Sequence, residues 1–284
     1  ERRDDLLGNL SLSYDVAPWL NLTARGGITT YTINGKNTRE AVSYSDFAHD
    51  SGKGIANPQS SPGTESDYSY FNSRMEGNFL ATFKKKVGDL NFTLIGGSQV
   101  IQKSSRALSA GTNYLVIPDF YNVGYRAGDA IVGETSTKDR QLGLYGDLTV
   151  GYKDYLFLHA SGRNDWDSRL ARENRSFFYP SADLSFIFTE AFPALKNNNI
   201  LSFGKIRGGI AKVYAVQFSP YSLEATFDVG SGFPYGSTAG YSVGKTVFDP
   251  NLKPEQTVSS EIGMELGFFN NRLFHSKHLI PLRL

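Results

Sequence analysis

The chain has 284 residues, a formal charge of +1, 40% hydrophobic and 13% aromatic residues, 29 glycines and no cysteine. Near-neutrality gives no basic excess pointing to nucleic acid, and the missing cysteine excludes disulfides and thiolate metal sites. No run approaches the roughly 18 apolar residues of a membrane helix, which excludes a helical membrane protein. It does not exclude a β-barrel, whose alternating strands average to a modest mean hydropathy such as the −0.32 here.

The first ten residues, ERRDDLLGNL, lack the apolar core of a signal peptide. From there, period-two alternation recurs along the chain. In residues 6–15 Leu6, Gly8, Leu10, Leu12 and Tyr14 share one side, against Leu7, Asn9, Ser11, Ser13 and Asp15. Residues 20–28 set Leu20, Leu22, Ala24, Gly26 and Ile28 against Asn21, Thr23, Arg25 and Gly27; residues 75–84 set Met75, Phe79 and Phe83 against Glu76, Asn78 and Lys84. The pattern continues at 90–100, 142–150, 155–165, 182–189 and 201–213. In residues 258–268, Val258, Ile262, Met264, Leu266 and Phe268 oppose Ser259, Glu261, Gly263, Glu265 and Gly267. A helix there would carry Gly263 and Gly267 internally, at about 1 kcal/mol each. About nine strands result, each near the ten residues that cross a bilayer at a tilt.

Short and long connections alternate. The short ones are DVAPW, KKVGDL, YKD, EAFPALKNNN and NNR; the long ones cover 31–73, 101–139, 166–178 and 214–255. A compact soluble domain, whose links run about four to six residues, rarely does this, whereas an outer-membrane barrel has short periplasmic turns and long outer loops. A soluble β-sandwich or propeller with large insertions is the alternative at this stage. Trp19, Tyr31, Tyr152, Tyr155, Phe268 and Phe269 sit near strand ends, where an interfacial girdle or a strand-end core would use them.

Signals for chemistry are weak. GRNDWDSR (residues 162–169) places Asp165 and Asp167 beside Arg163 and Arg169, better suited to a charge-compensated strand end than to paired catalytic carboxylates. His49, His159, His275 and His278 have no metal-ligand spacing, and no P-loop, GxSxG or dinucleotide fingerprint occurs. No enzyme, cofactor or metal is expected. The expected water-facing residues of a barrel wall are Arg25, Glu76, Lys84, Asp147, Arg163, Glu261 and Glu265. Loop aromatics that could stack on sugars or peptides include Tyr44, Phe47, Tyr68, Tyr70, Tyr114, Phe120, Phe233 and Tyr241, with Tyr121, Tyr125, Tyr221 and Tyr235 foremost.

Five blocks in order, GRNDWDSRL, FFYPSADLSFIFTEAF (177–192), LSFGKIRGGIA (201–211), PYSL (220–223) and NLKPEQTVSSEIGMELGFFNNRLF (251–274), resemble the barrel of SusC/RagA-type TonB-dependent outer-membrane transporters. The resemblance is strong over 139–274 and stylistic before that. It implies an all-β, antiparallel transmembrane β-barrel, here a fragment of about nine to ten strands with long extracellular loops. It also implies a plug domain energised through TonB, a SusD-like lipoprotein partner, and oligosaccharide or peptide cargo. The setting it implies is the outer membrane, in contact with its lipid, of a Gram-negative, Bacteroidota-like cell. No plug domain is expected within residues 1–284. Residues 1–274 are thus expected to be partial barrel, and 275–284, HSKHLIPLRL, an atypical tail, truncated or out of frame. The alternatives are a soluble secreted all-β carbohydrate-binding module or a siderophore-type receptor barrel.

Overall fold

The computed structural model describes residues 1–41, 63–195, 200–230, 233, 235–244 and 246–279, with the backbone of 282 and 283. Its strands are β1 (Arg2–Ala17), β2 (Leu20–Arg39), β3 (Thr64–Val87), β4 (Leu90–Thr112), β5 (Ile131–Tyr152), β6 (Leu156–Asp167), β7 (Ser176–Ile187), β8 (Leu201–Ala215), β9 (Phe227–Val229), β10 (Tyr241–Val243), β11 (Glu255–Phe268), β12 (Leu273–Leu279) and β13 (Leu282–Arg283). One sheet runs β1-β2-β3-β4-β5-β6-β7-β8-β11-β12, with β13 also on β11, and β9 and β10 form a separate hairpin. The all-β barrel-type sheet expected from the alternation is thus present, all nine anticipated strands included.

The chain divides into two compact units, 1–9 with 27–75 and 102–138, and 10–26 with 76–101 and 139–284. The strands of the first unit extend far into what alternation alone marks as loop: β2 reaches Arg39, β3 begins at Thr64, β4 reaches Thr112 and β5 begins at Ile131. Segments such as TESDYSYFNSR and QKSSRALSAGT are polar on both sides, so no hydrophobic period is visible, yet their backbones still pair. At about 3.3 Å per residue the 24-residue β3 is far longer than the roughly ten residues a bilayer needs.

Register in the second unit sorts the side chains. Directly paired residues of an antiparallel ladder share a face. Leu184, Gly208 and Ile262 therefore lie in one row, and Phe186, Ile206 and Met264 in the next. Leu148, Ala160 and Ala182 also belong to this apolar face. The opposite face carries Asp147, Ser161 and Ser181 in one row and Ser185, Arg207 and Gly263 in another. The apolar face is bare: Leu144 is 49% exposed, Leu184 48%, Ile210 58% and Ile262 62%. Leu115, Leu170 and Phe177 are the buried hydrophobic side chains among the described residues, and Phe177 packs on the Tyr179 and Tyr214 rings. The apolar surface of this sheet is thus not spent on an internal core.

All five short connections lie in the second unit and are laced by backbone bonds: Lys84 N to Trp19 O at 2.9 Å, Lys153 N to Asp89 O at 3.0 Å, Ile187 N to Tyr155 O at 2.7 Å and Phe269 N to Ile200 O at 2.9 Å. Lys153 and Asp154 take positive φ (47° and 60°), as a two-residue hairpin turn requires. An aromatic row marks this end: Trp19 with Phe83 at 4.8 Å, Tyr152 with Tyr155 at 5.5 Å, and Phe186 6.1 Å from both Tyr155 and Phe192. The strand pattern read through Thr189 stops at Ile187 instead, where a helical turn, α1 (Phe188–Ala191), takes over. Thr189 Oγ1 accepts from Gly204 N at 3.0 Å, and the Phe188 ring occupies the space a Cβ on Gly204 would need. Beyond Phe274, where alternation was expected to lapse, β12 continues to Leu279 along β11.

Candidate functional site

The polar face of the second unit is tied together by side chains from five successive strands. Gln99 (β4) donates to Glu76 Oε1 (β3) at 2.7 Å and accepts from Arg163 Nη2 (β6) at 2.6 Å. Arg163 Nε donates to Asp165 Oδ1 at 2.7 Å, while Gln141 (β5) and the Tyr179 hydroxyl (β7) donate to Asp165 Oδ2 at 2.9 and 2.6 Å. The guanidinium also lies 5.4 Å from the Tyr145 ring centroid, and that ring stands over Gly97, where no side chain could fit beneath it. Asp165 is 3% exposed, yet each carboxylate oxygen is met by a donor, which is what a buried charge requires.

Nearer the short turns, His159 (β6) sits between Asp147 Oδ2 (β5) on Nε2 and Asp183 Oδ2 (β7) on Nδ1, both at 2.6 Å. Carboxylates only accept, so this pairing is satisfied when both ring nitrogens carry hydrogen. Ser161 and Ser181 bond at 2.7 Å alongside. Further along the same face, Arg207 (β8) donates to His278 Nδ1 (β12) at 2.9 Å and lies 3.9 Å from Glu265. A polar groove of about 460 Å³, lined by Asp183, Ser185, Lys205, Arg207, Ser259 and Glu261, opens here. Ser185 Oγ and Arg207 Nε are buried there without a hydrogen-bond partner among the described residues.

At the long-loop end of this unit, Asp167 (2% exposed) takes Arg169 Nε and Nη2 at 3.0 and 2.7 Å. Arg169 Nη1 reaches the carbonyls of Val216 and Phe218 at 3.1 and 3.4 Å, and Asn174 reaches those of Asn251 and Leu252. The bond from Asp167 raises the Arg169 pKa further above its ordinary value. The DWDSR run, read in the sequence as a charge-compensated strand end, and the turn after it are also where the two ends of the 216–254 loop are fastened.

In the first unit, Lys36 Nζ is ringed by oxygens: Glu65 Oε1 at 2.7 Å, Tyr121 O at 2.9 Å and Asp67 Oδ1 at 3.3 Å. The Glu65 side chain is fully buried. These bonds raise the Lys36 pKa, the one to Glu65 most. Loop 113–130 is thereby pinned at its base, with Leu115 2% exposed against Gly63 and the tip closed by Val116 N to Tyr125 O at 2.8 Å.

Of the residues singled out in the sequence, Glu76, Asp147, Arg163, Glu261 and Glu265 all lie on the polar face. Arg25 is exposed on β2, two residues from Thr23, which bonds Asn21. Lys84 is exposed at the short-turn end. Tyr121 bonds Asp119 at 3.1 Å and Tyr125 packs edge-on against Phe120 at 4.8 Å; Tyr221 (64% exposed) and Tyr235 (80%) stand on the 216–254 loop. Tyr44, Phe47 and His49 lie outside the described residues. Sequence reasoning missed Gln99, Gln141, Tyr145 and Tyr179 because neutral side chains carry no charge signal; their strand parity matches that of Glu76 and Arg163. Among the described residues no group of three His, Asp or Glu side chains is arranged so that it could hold a metal ion.

A family model described as TonB dependent receptor-like, beta-barrel matches residues 3–276. TonB-dependent receptor P3 of Formosa agariphila is 25% identical over 223 residues, 74% of this chain and 21% of that protein. TonB-dependent receptor SusC of Bacteroides thetaiotaomicron is 24% identical over 219 residues, again 74% of this chain and 21% of the relative. The chain therefore spans only 21% of the length of these relatives. The solved RagAB peptide transporter superposes with a TM-score of 0.81 at 16% identity, over 98% of this chain and 30% of that one. The siderophore receptor PiuA of Acinetobacter baumannii superposes with a TM-score of 0.55 at 12% identity, over 98% and 40%. At such identities the two solved structures show a common fold alone.

Proposed function

The chain belongs to the TonB dependent receptor-like β-barrel family, and from that premise we propose that it forms part of the wall of an outer-membrane transporter importing bulky nutrients without transforming them. The observation that carries this reading is the division of the second unit into a bare apolar face and a polar face laced with charge-compensated bonds. Bare apolar strands are stable against hydrocarbon, and a laced polar wall is stable against a wet lumen. Arg25, Glu76, Asp147, Arg163, Glu261 and Glu265 then face the lumen, and Tyr121, Tyr125, Tyr221 and Tyr235 stand on outer loops within reach of cargo.

Oligosaccharides or peptides are the cargo we favour. The likeness to SusC supports the first and the likeness to RagAB, a peptide transporter, supports the second. The same relatives support a SusD-like lipoprotein at the outer face and TonB as the energy source. The polar groove at Asp183, Ser185, Lys205 and Arg207, with two unsatisfied buried polar atoms, suits contact with a plug or with passing cargo. A soluble carbohydrate-binding module loses its ground once the chain is in this family; a siderophore receptor has the same wall and differs in cargo.

Cysteine labelling of the whole protein in its membrane tests the reading. Spin labels at 262, 264 and 266 are expected to report lipid and those at 261, 263 and 265 water; the reverse assignment, or none, would sink it. Uptake competition between oligosaccharides, peptides and ferric siderophores then separates the cargo classes.

A further inference from the structure

The apolar face is not uniform. Gly208 sits in the row Leu184, Gly208, Ile262, Leu279, and nothing fills the space where its side chain would stand; a Cβ there would meet only Glu261 O, at 3.5 Å. The result is a groove of about 500 Å³ walled by Leu184, Phe186, Ile206, Ile262, Met264 and Leu279. The aromatic row of Tyr152, Tyr155, Phe186 and Phe192 fixes the short-turn boundary of the sheet. Gly208 lies seven residues beyond Leu201, the start of β8, about 23 Å along the strand and roughly 17 Å of depth at the usual barrel tilt. The groove therefore starts near mid-depth at Gly208 and runs toward the short-turn side, where Phe186, Ile206 and Met264 stand one row on.

One of its walls carries a charge. Lys277 pairs with Met264 and His275 with Leu266, which puts both on the apolar face, on the short-turn side of the Gly208 row. Lys277 lines the groove and forms no ion pair among the described residues. A lone ammonium among lipid tails is costly unless it reaches an anion or water. Four residues from the start of β12, about 13 Å along the strand, its stem can bring the nitrogen back to headgroup level.

We propose that this groove is a binding site for an anionic phospholipid of the leaflet on the short-turn side, one acyl chain lying over Gly208 and the phosphate held by Lys277 with His275 as a second donor. The site rests on the membrane-wall reading above. Leu144 and Leu148 on β5 provide the comparison surface, apolar on the same face.

The test uses the whole outer-membrane protein in nanodiscs of phosphatidylethanolamine doped with phosphatidylglycerol bearing a mid-chain diazirine. Photolabelling of Ile206, Ile262 and Met264 is expected to exceed that of Leu144 and Leu148 by about fivefold, the preference one lysine gives an anionic lipid. Gly208→Leu, which fills the groove, and Lys277→Gln should each remove the excess. Gly146→Leu, at an open glycine of the same face, should leave it unchanged. Equal labelling at the groove and on β5 would overturn the site while leaving the membrane reading intact. If none of these residues took label, the membrane reading itself would fall.

Discussion

Arg169 and Asp167 form a two-armed ion pair, Nε to Oδ1 at 3.0 Å and Nη2 to Oδ2 at 2.7 Å, in which the carboxylate is almost wholly buried. Removing one partner strands the other, and a broken buried pair costs about 3–5 kcal/mol. Because Arg169 also holds the carbonyls of Val216 and Phe218, the damage extends to the long loop. Asp167→Ala should lower unfolding stability by that order and speed proteolytic nicking within 216–254, read by limited proteolysis. Unchanged cleavage would mean the loop is held elsewhere.

Lys36 plays the corresponding part for loop 113–130. Lys36→Ala leaves the Glu65 carboxylate buried and frees the Tyr121 carbonyl, so amide exchange over 115–127 should accelerate and stability fall by about 3 kcal/mol. Replacing both partners with apolar residues of similar volume, Lys36→Met with Glu65→Leu, should recover most of the stability, since a buried pair contributes little net. Loop protection should return less fully, because the bond to Tyr121 O is still missing. A double variant as unstable as the single one would refute this account.

The strands that cross the apolar band were legible because Ile262, Met264 and Leu266 alternate with Glu261, Gly263 and Glu265, a contrast set by two different solvents on the two faces. The outer halves of β2 to β5 were not legible, since Tyr68 and Ser69 or Ser104 and Ser105 show no apolar side, and the side-chain bonds that join these strands, Ser105 to Thr137 and Lys36 to Glu65, depend on register. Charged members of the polar face could be named from parity. Their connectors could not: Gln99 joins Glu76 to Arg163 across three strands, and that neighbourhood depends on register. Likewise Asp165 and Asp167 were visible as a charged run, but their burial follows from neighbours that register and the chain's return supply: Gln141 and Tyr179 at Asp165, and Arg169 folded back on Asp167.

Gly96 and Gly97 are neighbours on opposite faces of β4, and their surroundings predict opposite outcomes for one substitution. A Cβ on Gly97 would fall 2.5 Å from the Tyr145 ring and 2.8 Å from Phe79 O, while one on Gly96 would meet nothing within 4 Å. Gly97→Ala should displace Tyr145 from Arg163 and cost about 1–3 kcal/mol. Gly96→Ala should be neutral or stabilise by about 0.4–1 kcal/mol through the unfolded chain. Thermal unfolding of both variants, in the same detergent, checks the pair; equal losses would show that the polar ladder is not as tightly packed as its distances imply.

Glu261 and Ile262 provide the sharpest contrast on β11, being adjacent in sequence and on opposite faces. Ile262 stands in the row with Leu184 and Gly208, near mid-depth of the apolar band, where an arginine against lipid costs about 2–4 kcal/mol. Glu261 is exposed on the polar face, where surface changes usually stay within about 0.5 kcal/mol. Ile262→Arg should therefore lower the urea midpoint of the whole protein in lipid and weaken its heat-modifiable migration, and Glu261→Gln should alter neither. Were the soluble alternative right, Ile262 would already face water at 62% exposure and its replacement by arginine would be harmless. The same two substitutions thus discriminate a membrane wall from a water-exposed sheet without any knowledge of the cargo.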